Sequence, residues 1–578
     1  MKIALIGAEL EENLGLRYMV SALEQAGHQA RIFPFNDETE IPTVVRQIRA
    51  FTPHIAGLSM VFTGRAREFC RMANALRESG FTGHLTAGGH FAALNCRQLL
   101  EDFPEFDSIA LGEGEQLICE LAANIQNLSD VSGFCYRDRD GTIRVNPSTG
   151  NQEELDLLPF PRRDTFHEYY GKPIASILSS RGCWRSCAFC SIDAWYRSGG
   201  GSKFRIRSVP NIVAEMSELY HQNGVRIFNF QDDNFFLPEP TKALARFTEL
   251  RDSLWREGVK DIAIAVKARP DSINREAMSV LDDLGVFRVF LGVENASERE
   301  LEKLNRKCSR EAIENALHIL NDVDVHVAYN LLLFEPDTTL DDILINLRFM
   351  ERHIDNPFNF CRAEAYAATG LEKKLRTDGI LAGDYFGFDY RIKDPRVEAF
   401  HKIANYAFFD RNFNDFGLHY FNMEVDFSFQ LLRRFHPGLL SQELRSEVHS
   451  FIKETNIDTY RCLSRIWDIV QAIDPAEQET LRNAMGSVRM RVDDGGIALR
   501  ARGERILERL RRAWVEQRPE QADTFPVNRQ ISALDGGCYP YFGIESLAST
   551  GSDPMGLGFF GGGTPIPYAE FRRLADQK

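Results

Sequence analysis

Apolar strand segments alternate with helices along two long stretches, and this alternation constrains the fold more than any other feature of the sequence. In the first stretch, strands are predicted at residues 2–6, 30–33, 55–60, 83–87 and 107–111. Amphipathic helices are predicted between them, the first over residues 14–27. Because strands that alternate with helices form parallel sheets covered on both faces, residues 1–150 are predicted to be a doubly wound, Rossmann-like α/β domain.

A second alternation of strands and helices follows a short segment rich in leucine, proline and arginine. Residues 151–168 are predicted to be a linker, since residues 157–161 read Leu-Leu-Pro-Phe-Pro. In residues 169–375, strands are predicted at 174–179, 226–230, 262–267, 286–292 and 325–333. Repeated strand–helix units indicate a full or partial barrel, whose catalytic groups lie at the carboxyl ends of its strands.

The pattern changes after residue 375. Aromatic residues crowd residues 400–421 and helices dominate beyond them, so residues 376–578 are predicted to form a mostly helical substrate or lid domain. The aromatics are expected to pack in a helical core, with a substrate pocket as the alternative. Glycines are frequent in residues 535–565, where Cys538 lies, and this segment is predicted to be a loop or lid.

Charge and composition exclude several classes of protein. The chain has 83 acidic and 68 basic residues, a net charge of −15, which argues against a surface for nucleic acid or anionic membranes. Its 44% of apolar residues excludes a mainly disordered chain. Apolar runs fall short of the roughly 20 residues that span a membrane, and the N-terminal run is too short for a signal peptide. We therefore expect a cytoplasmic protein with reduced cysteines.

Three cysteines stand close together directly after the first strand of the second stretch. Cys183, Cys187 and Cys190 lie in the segment Cys-Trp-Arg-Ser-Cys-Ala-Phe-Cys. Three thiolates can hold three irons of a [4Fe–4S] cluster, whose usual ligand set is four, and leave the fourth iron open to a small chelating ligand. A structural zinc site would need four closed ligands, and no histidine lies in this loop.

The pattern Cys-x-x-x-Cys-x-aromatic-Cys at the end of a first barrel strand resembles the radical S-adenosylmethionine (SAM) superfamily. The resemblance covers about residues 170–370 and implies a partial (β/α)6 TIM barrel in which the open iron chelates SAM. Asp232 and Asp233 stand where the family places an acidic group against the SAM ammonium, and a carboxylate suits that charge-assisted hydrogen bond. The other implied SAM contacts are Phe189, Arg269 (equally able to pair with Asp271), Glu294 and Asn330.

An α/β domain ahead of such a barrel resembles the cobalamin-binding domain of cobalamin-dependent radical SAM enzymes, a group that includes class B methyltransferases. Glycine-containing segments at successive strand ends carry the resemblance, because glycine lets the backbone approach a flat macrocycle. The cobalamin contacts that it implies are Asn13, Leu14, Gly15, Ser59, Met60, Gly88, Gly89, His90, Gly112 and Glu113.

One departure from the family pattern concerns the lower face of cobalt. Many cobalamin domains carry Asp-x-His-x-x-Gly, whose histidine ligates cobalt, but no Asp-x-His occurs in residues 1–150. Arg65 and Arg67 are the candidates nearest that face, and a cation there would discourage a strong axial donor. The hypothesis is five-coordinate cobalt, and the alternative for both arginines is a solvated helix N-terminus.

By resemblance, we expect a C-methyltransferase that uses a [4Fe–4S] cluster, cobalamin and SAM. One SAM would methylate cobalamin, and a second would yield a deoxyadenosyl radical that activates a carbon of a small-molecule or natural-product substrate. A flavodoxin- or ferredoxin-type electron donor is also implied, with no nucleic acid or membrane partner. No catalytic residue is assigned.

Three alternative functions stay open. The first is ring contraction or cyclisation without methyl transfer. The second is methylation of an sp² carbon without radical cleavage of SAM, as in a tryptophan-methylating branch. The third is a non-catalytic cobalamin or SAM sensor, against which the intact three-cysteine loop argues.

Overall fold

The computed structural model describes residues 1–9, 12–413 and 417–515. Two seven-stranded sheets with their helices are followed by long helices in this part of the chain. Phe416, Cys538 and the glycine-rich segment 535–565 lie outside the described residues.

The first sheet has the strand order β2-β1-β3-β4-β5-β6-β7. Its first five strands are parallel, as the alternation predicts, and helices cover it. The last two strands form an antiparallel hairpin that the sequence analysis missed. The elements are β1 (Lys2–Gly7), α1 (Leu14–Gln25), β2 (Gln29–Pro34), α2 (Ile41–Phe51), β3 (Ile55–Ser59), α3 (Ala66–Glu78), β4 (His84–Gly88), α4 (His90–Leu94), α5 (Cys96–Asp102), β5 (Ser108–Ala110), α6 (Gly114–Asn124), β6 (Phe134–Arg137) and β7 (Ile143–Asn146).

Helix α1 shows how the local sequence sets these boundaries. The Asn13 side chain accepts the backbone N–H of Leu16 at 3.2 Å and so caps the helix. Leu16, Val20 and Leu23 bury one face of the helix against the sheet. Gly27 follows the helix with φ of 80°, a left-handed conformation that glycine adopts without strain.

The second sheet contains six parallel strands in the order β16-β15-β14-β13-β12-β9, with the short β8 antiparallel at the β9 edge. Its two edges do not pair, so the barrel is partial, as predicted. The sixth strand, β16, was not located from the sequence. The elements are β8 (His167–Tyr169), β9 (Lys172–Ile177), β10 (Ser180–Gly182), α7 (Ser191–Gly199), β11 (Phe204–Ile206), α8 (Val209–Asn223), β12 (Ile227–Phe230), α9 (Pro240–Arg256), β13 (Ala263–Ala268), α10 (Arg275–Leu284), β14 (Val286–Glu294), α11 (Glu298–Lys303), α12 (Arg310–Asp322), β15 (His326–Phe334), α13 (Leu340–Arg352), β16 (Phe358–Arg362) and α14 (Gly370–Thr377).

A hairpin and four long helices complete the described chain, and the region is mostly helical, as predicted. The aromatic side chains of this region pack in the core, among them Phe400, Phe408 and Phe421. No helix in the described ranges is long and apolar enough to cross a membrane. The elements are β17 (Leu381–Asp384), β18 (Gly387–Tyr390), α15 (Pro395–Phe413), α16 (Leu418–Phe435), α17 (Gln442–Ala472) and α18 (Gln478–Val515).

Helix α16 closes the amino-terminal end of the barrel. Its residues from Leu418 to Leu432 are all buried. The Phe427 ring packs on Phe287 near the start of β14, and Asp426 contacts His326 at the start of β15. The opposite end, where the strands terminate, therefore carries the functional groups.

Candidate functional site

The cysteine loop begins at a glycine that no other residue could replace without strain. Gly182 has φ of 81°, and a Cβ added there would lie 2.0 Å from the carbonyl oxygen of Lys203. Gly182 ends β10, which pairs with β11, so the hairpin fixes the backbone just before Cys183.

A segment after helix α11 holds the other side of the loop. The Ala188 N–H donates to the carbonyl of Leu304 at 2.9 Å, and the Asn305 amide donates to the carbonyl of Ser186 at 2.6 Å. On the far side, the Leu371 N–H donates to the Ala188 carbonyl at 2.7 Å. These hydrogen bonds hold the cysteine loop between the segment after α11 and the start of α14.

Two buried cations approach the middle cysteine. The Arg306 and Arg269 guanidiniums place Nη1 atoms 3.3 Å and 3.7 Å from Cys187 Sγ. Cations beside sulfur would balance the negative charge of a metal-bound thiolate. Arg306 was missed in the sequence analysis, since nothing in a short polar turn after a helix singles out one arginine.

The three thiols have the chemistry that an iron–sulfur cluster needs. Burial raises the pKa of the Cys183 and Cys190 thiols, so bound iron is what would hold them as thiolates. No three His, Cys, Asp or Glu side chains of the described ranges lie close enough to bind a single metal ion. This does not argue against a cluster, because the three cysteines would each bind a different iron and need not surround a single metal ion.

The two aspartates at the end of β12 have different surroundings. Asp232 is fully buried and accepts hydrogen bonds from Ser179 N, Ser179 Oγ and Ser180 Oγ at 2.5–3.1 Å. It ties the end of β9 to the end of β12. Among the described residues, Asp233 accepts a hydrogen bond only from the Gly182 N–H, at 3.1 Å, and Asp233 is an exposed residue at the barrel mouth. Loss of hydration raises the pKa of Asp233 to about 6, against the attraction of Lys267. Asp233 is therefore the better placed of the two to receive a cation.

The remaining predicted SAM contacts lie at the same end of the barrel. Glu294, with φ of 65°, lies 3.9 Å from Arg306 Nη2, and burial raises its pKa. Arg269 donates to Asp271 at 2.9 Å and to the Arg306 carbonyl at 2.6 Å, which is the pairing weighed as its alternative. Asn330 is buried on β15, and Phe189 packs partly buried against the barrel core. Contact with SAM stays a prediction for all of these residues.

The predicted cobalamin contacts fall into two groups by exposure. Ser59, Gly88, Gly89 and His90 are partly exposed at the ends of β3 and β4, and Gly15 is exposed at the start of α1. The other group is occupied within the protein: Leu14 and Met60 are buried, Asn13 caps α1, and Gly112 is buried against Asn151.

Glu113 belongs to an ion-pair network that joins the first sheet to the cysteine loop. Its carboxylate binds Arg205 at 2.6 Å and Arg181 at 3.3 Å. Arg181 also binds Glu115 at 2.6 Å, and it lies only two residues before Cys183. These side chains are nearly or fully buried, so the network links the end of β5 to the start of the cysteine loop.

The two arginines proposed near cobalt both have protein partners. Arg65 binds Glu68 at 2.7 Å and donates to the Phe35 carbonyl at 3.0 Å. Arg67 lies 3.3 Å from Asp384 and covers the ring of Phe386 on the β17–β18 hairpin. Their effect on the cobalt coordination stays a prediction.

Direct packing also brings the two cofactor regions together. Helix α7 begins immediately after Cys190, and its Trp195 ring lies 4.5 Å from the His90 ring at the start of α4. Trp195 and Tyr196 belong to the hydrophobic core of the first sheet. The strand ends that fit cobalamin and the loop that fits a cluster are thus held against each other.

Comparison with known proteins agrees with this arrangement. Residues 7–122 match the B12 binding domain, and residues 177–349 match the Radical SAM superfamily. An uncharacterized methyltransferase of Pyrococcus horikoshii is 23% identical over 377 residues, which cover 64% of this chain and 79% of the relative. An anaerobic magnesium-protoporphyrin IX monomethyl ester cyclase of Synechocystis is 26% identical over 327 residues, which cover 54% of this chain and 62% of that protein.

A solved structure shares the fold over most of the chain. The cobalamin-dependent SAM radical enzyme OxsB, with aqua-cobalamin bound, superposes with a TM-score of 0.63 at 15% identity, covering 94% of this chain and 84% of OxsB. In this chain a B12 binding domain is followed by a Radical SAM domain, and the contacts described above join the two. The chain is an enzyme that combines a B12 binding domain with a Radical SAM domain, as cobalamin-dependent radical SAM enzymes do.

Proposed function

We propose that this enzyme moves a methyl group from SAM to a carbon atom of a small molecule, with cobalamin as the carrier. When bound, cobalamin supplies the methyl carrier, and the cluster together with SAM supplies a source of a carbon radical. The observation that supports the proposal most directly is the 4.5 Å contact between Trp195 and His90, which holds the two cofactor regions side by side.

The chain's own groups have positioning roles in this proposal. Asp233 receives the ammonium of SAM, because it is the acid in the barrel mouth with a single hydrogen-bond partner among the described residues. Arg306 and Arg269 hold the Cys187 thiolate. Ser59, Gly88, Gly89 and His90 form the accessible edge for cobalamin. A flavodoxin- or ferredoxin-type protein supplies the electrons.

The test begins with metal analysis after anaerobic purification with cobalamin supplied. The proposal expects about four irons and one cobalt per chain. Cys187→Ala should lose most of the iron, whereas Cys308→Ala should keep it, because Cys308 lies beside Arg306 but outside the three-cysteine motif. Iron without cobalt would contradict the role of cobalamin, and cobalt without iron would favour a sensor.

The products of SAM then decide among the reaction types. Methyl transfer with radical activation yields S-adenosylhomocysteine and 5′-deoxyadenosine together, and a product that carries a CD3 group in place of one substrate hydrogen when the SAM methyl is CD3. Methylation of an sp² carbon without radical cleavage yields S-adenosylhomocysteine alone. Cyclisation yields 5′-deoxyadenosine with no label in the substrate. The similarity to the Synechocystis cyclase keeps this last outcome a specific second candidate.

A further inference from the structure

One carboxylate at the mouth of the barrel stands apart from the others. The acids that follow the barrel strands each have a hydrogen bond or an ion pair: Asp232, Asp233, Asp271, Glu294 and Glu335. Glu364, two residues beyond β16, has neither among the described residues. It is half-buried, and burial raises its pKa. A buried carboxylate without a hydrogen bond costs free energy, which its attraction to the Arg362 guanidinium only partly offsets.

The position of Glu364 places it at the open side of the barrel. The Ala363 N–H donates to the Phe334 carbonyl at 2.8 Å, which continues the pairing of β15 and β16. Gly370 and Leu371 then contact Ala188 in the cysteine loop. The segment 363–370 therefore crosses the gap between the last strand and the cluster loop, and Glu364 lies on that crossing.

The basic group that attracts Glu364 is Arg362, which is shared with a second acid. Arg362 donates to Asp389 Oδ1 at 2.6 Å and to the Tyr390 carbonyl at 3.1 Å. Arg362, Asp389 and Glu364 together carry one net negative charge. An anionic ligand would be repelled here, whereas a cation would neutralise the corner.

A second unpaired polar group lies at the same corner. His401 on α15 packs its ring against Phe334 at 5.0 Å and has no hydrogen-bond partner within the described residues. Burial and the Arg362 guanidinium hold the pKa of His401 well below its usual range, so its ring is neutral. A neutral imidazole offers one donor and one acceptor without adding charge.

We propose that Glu364 and His401 form the outer end of the substrate site, and that Glu364 binds an amine of the small molecule that the enzyme modifies. This proposal rests on the proposed function in one respect, which is that the bound amine is called the substrate. An ammonium would meet Glu364 in a charge-assisted hydrogen bond. His401 would hydrogen-bond a second polar atom of the same molecule.

The test measures binding to the SAM-loaded holoenzyme and needs no turnover. The probes are benzylamine, benzyl alcohol and benzoate, which share a ring and differ in charge, titrated at pH 7.5 by ligand-observed saturation-transfer NMR. Benzylamine should bind about tenfold or more tightly than benzyl alcohol, and benzoate more weakly than either. Glu364→Gln should abolish the preference for benzylamine, and His401→Phe should weaken all binding while keeping the ring contact with Phe334.

Glu398→Gln is the matched control, because Glu398 is an acid on α15 that already has partners in Lys402 and the Ile392 N–H. It should keep the preference. The proposal is overturned if benzoate or benzyl alcohol binds as well as benzylamine, if no probe binds, or if the preference survives Glu364→Gln. It is also overturned if Glu364→Gln weakens SAM binding by the same factor, since Glu364 would then contact SAM. A chain that binds benzylamine through Glu364 but transfers no methyl group would contradict only the proposed function.

Discussion

Replacing Arg181 with methionine tests how strongly the first sheet is joined to the cysteine loop. The Arg181 side chain is 8% exposed and binds Glu115 at 2.6 Å and Glu113 at 3.3 Å, both of which are 7% exposed. Removing one partner from a buried ion pair costs about 3–5 kcal/mol, because a buried charge is left uncompensated. Glu113 keeps Arg205 at 2.6 Å, so Glu115 is the acid left alone. We therefore expect a loss of about 3 kcal/mol in the free energy of unfolding.

Urea unfolding of the purified variants measures this loss, and Arg162→Met is the matched control. Arg162 also binds two acids, Glu24 at 2.6 Å and Asp164 at 2.8 Å, but it is 46% exposed. Its replacement should cost no more than about 1 kcal/mol. Adding Glu115→Gln to Arg181→Met should recover part of the loss, since the uncompensated charge is then removed.

The refuting result is a loss for Arg181→Met that equals the loss for Arg162→Met. Buried ion pairs would then contribute no more here than exposed ones, and hydrophobic contacts such as Trp195 against the first sheet would hold the domains together. Cobalt content of the folded variant is a second measurement. It should fall with Arg181→Met and stay unchanged with Arg162→Met.

Two further predictions concern a glycine and a buried acid. Gly182→Ala should reduce the iron content at least severalfold, because the added Cβ would clash with the Lys203 carbonyl. The control is Gly141→Ala, at φ of 82° in open space, which should lower the free energy of unfolding by about 1 kcal/mol and leave the iron content unchanged. Equal iron contents in the two variants would contradict the predicted clash. Burial raises the pKa of Glu424 to about 8, so the neutral form is favoured on folding, and stability should fall as pH rises from about 4.5 to 8. Glu424→Gln should remove this fall, which amounts to roughly 2–5 kcal/mol of unfolding free energy at pH 9. If the unfolding free energies of the two proteins changed in parallel with pH, Glu424 would be ionised when buried and the prediction would be wrong.

The sequence analysis located most strands of both sheets and the order of the domains. Period-2 and period-3.6 apolar patterns depend on neighbouring residues only, so they are visible without a structure. The β6–β7 hairpin and strand β16 were missed. In β16, Phe358, Phe360 and Arg362 alternate with Asn359 and Cys361, and nearly all of these residues are buried. The strand therefore shows no contrast between an apolar face and a solvated face.

Part of the candidate site could be proposed from the sequence. The spacing of Cys183, Cys187 and Cys190 is local and could be interpreted directly, whereas Asp232 and Asp233 could not be told apart. They are adjacent in sequence but face different surroundings, one bound by two serines and one open to the barrel mouth. Arg306 was missed because it reaches Cys187 from a segment 119 residues away.

The sequence by itself determined the set of helices and strands and the three-cysteine motif predicted to ligate iron, because both depend only on residues that are close together in the chain. What only the tertiary structure decided is which charged groups pair and which remain available. Glu113 was interpreted as a ligand contact and is occupied by two arginines of another domain. Glu364 carried no signal; among the described residues it has no hydrogen bond, and it shares the Arg362 cation with Asp389. Ion pairing depends on distances and burial across segments far apart in the sequence, and folding alone sets those distances.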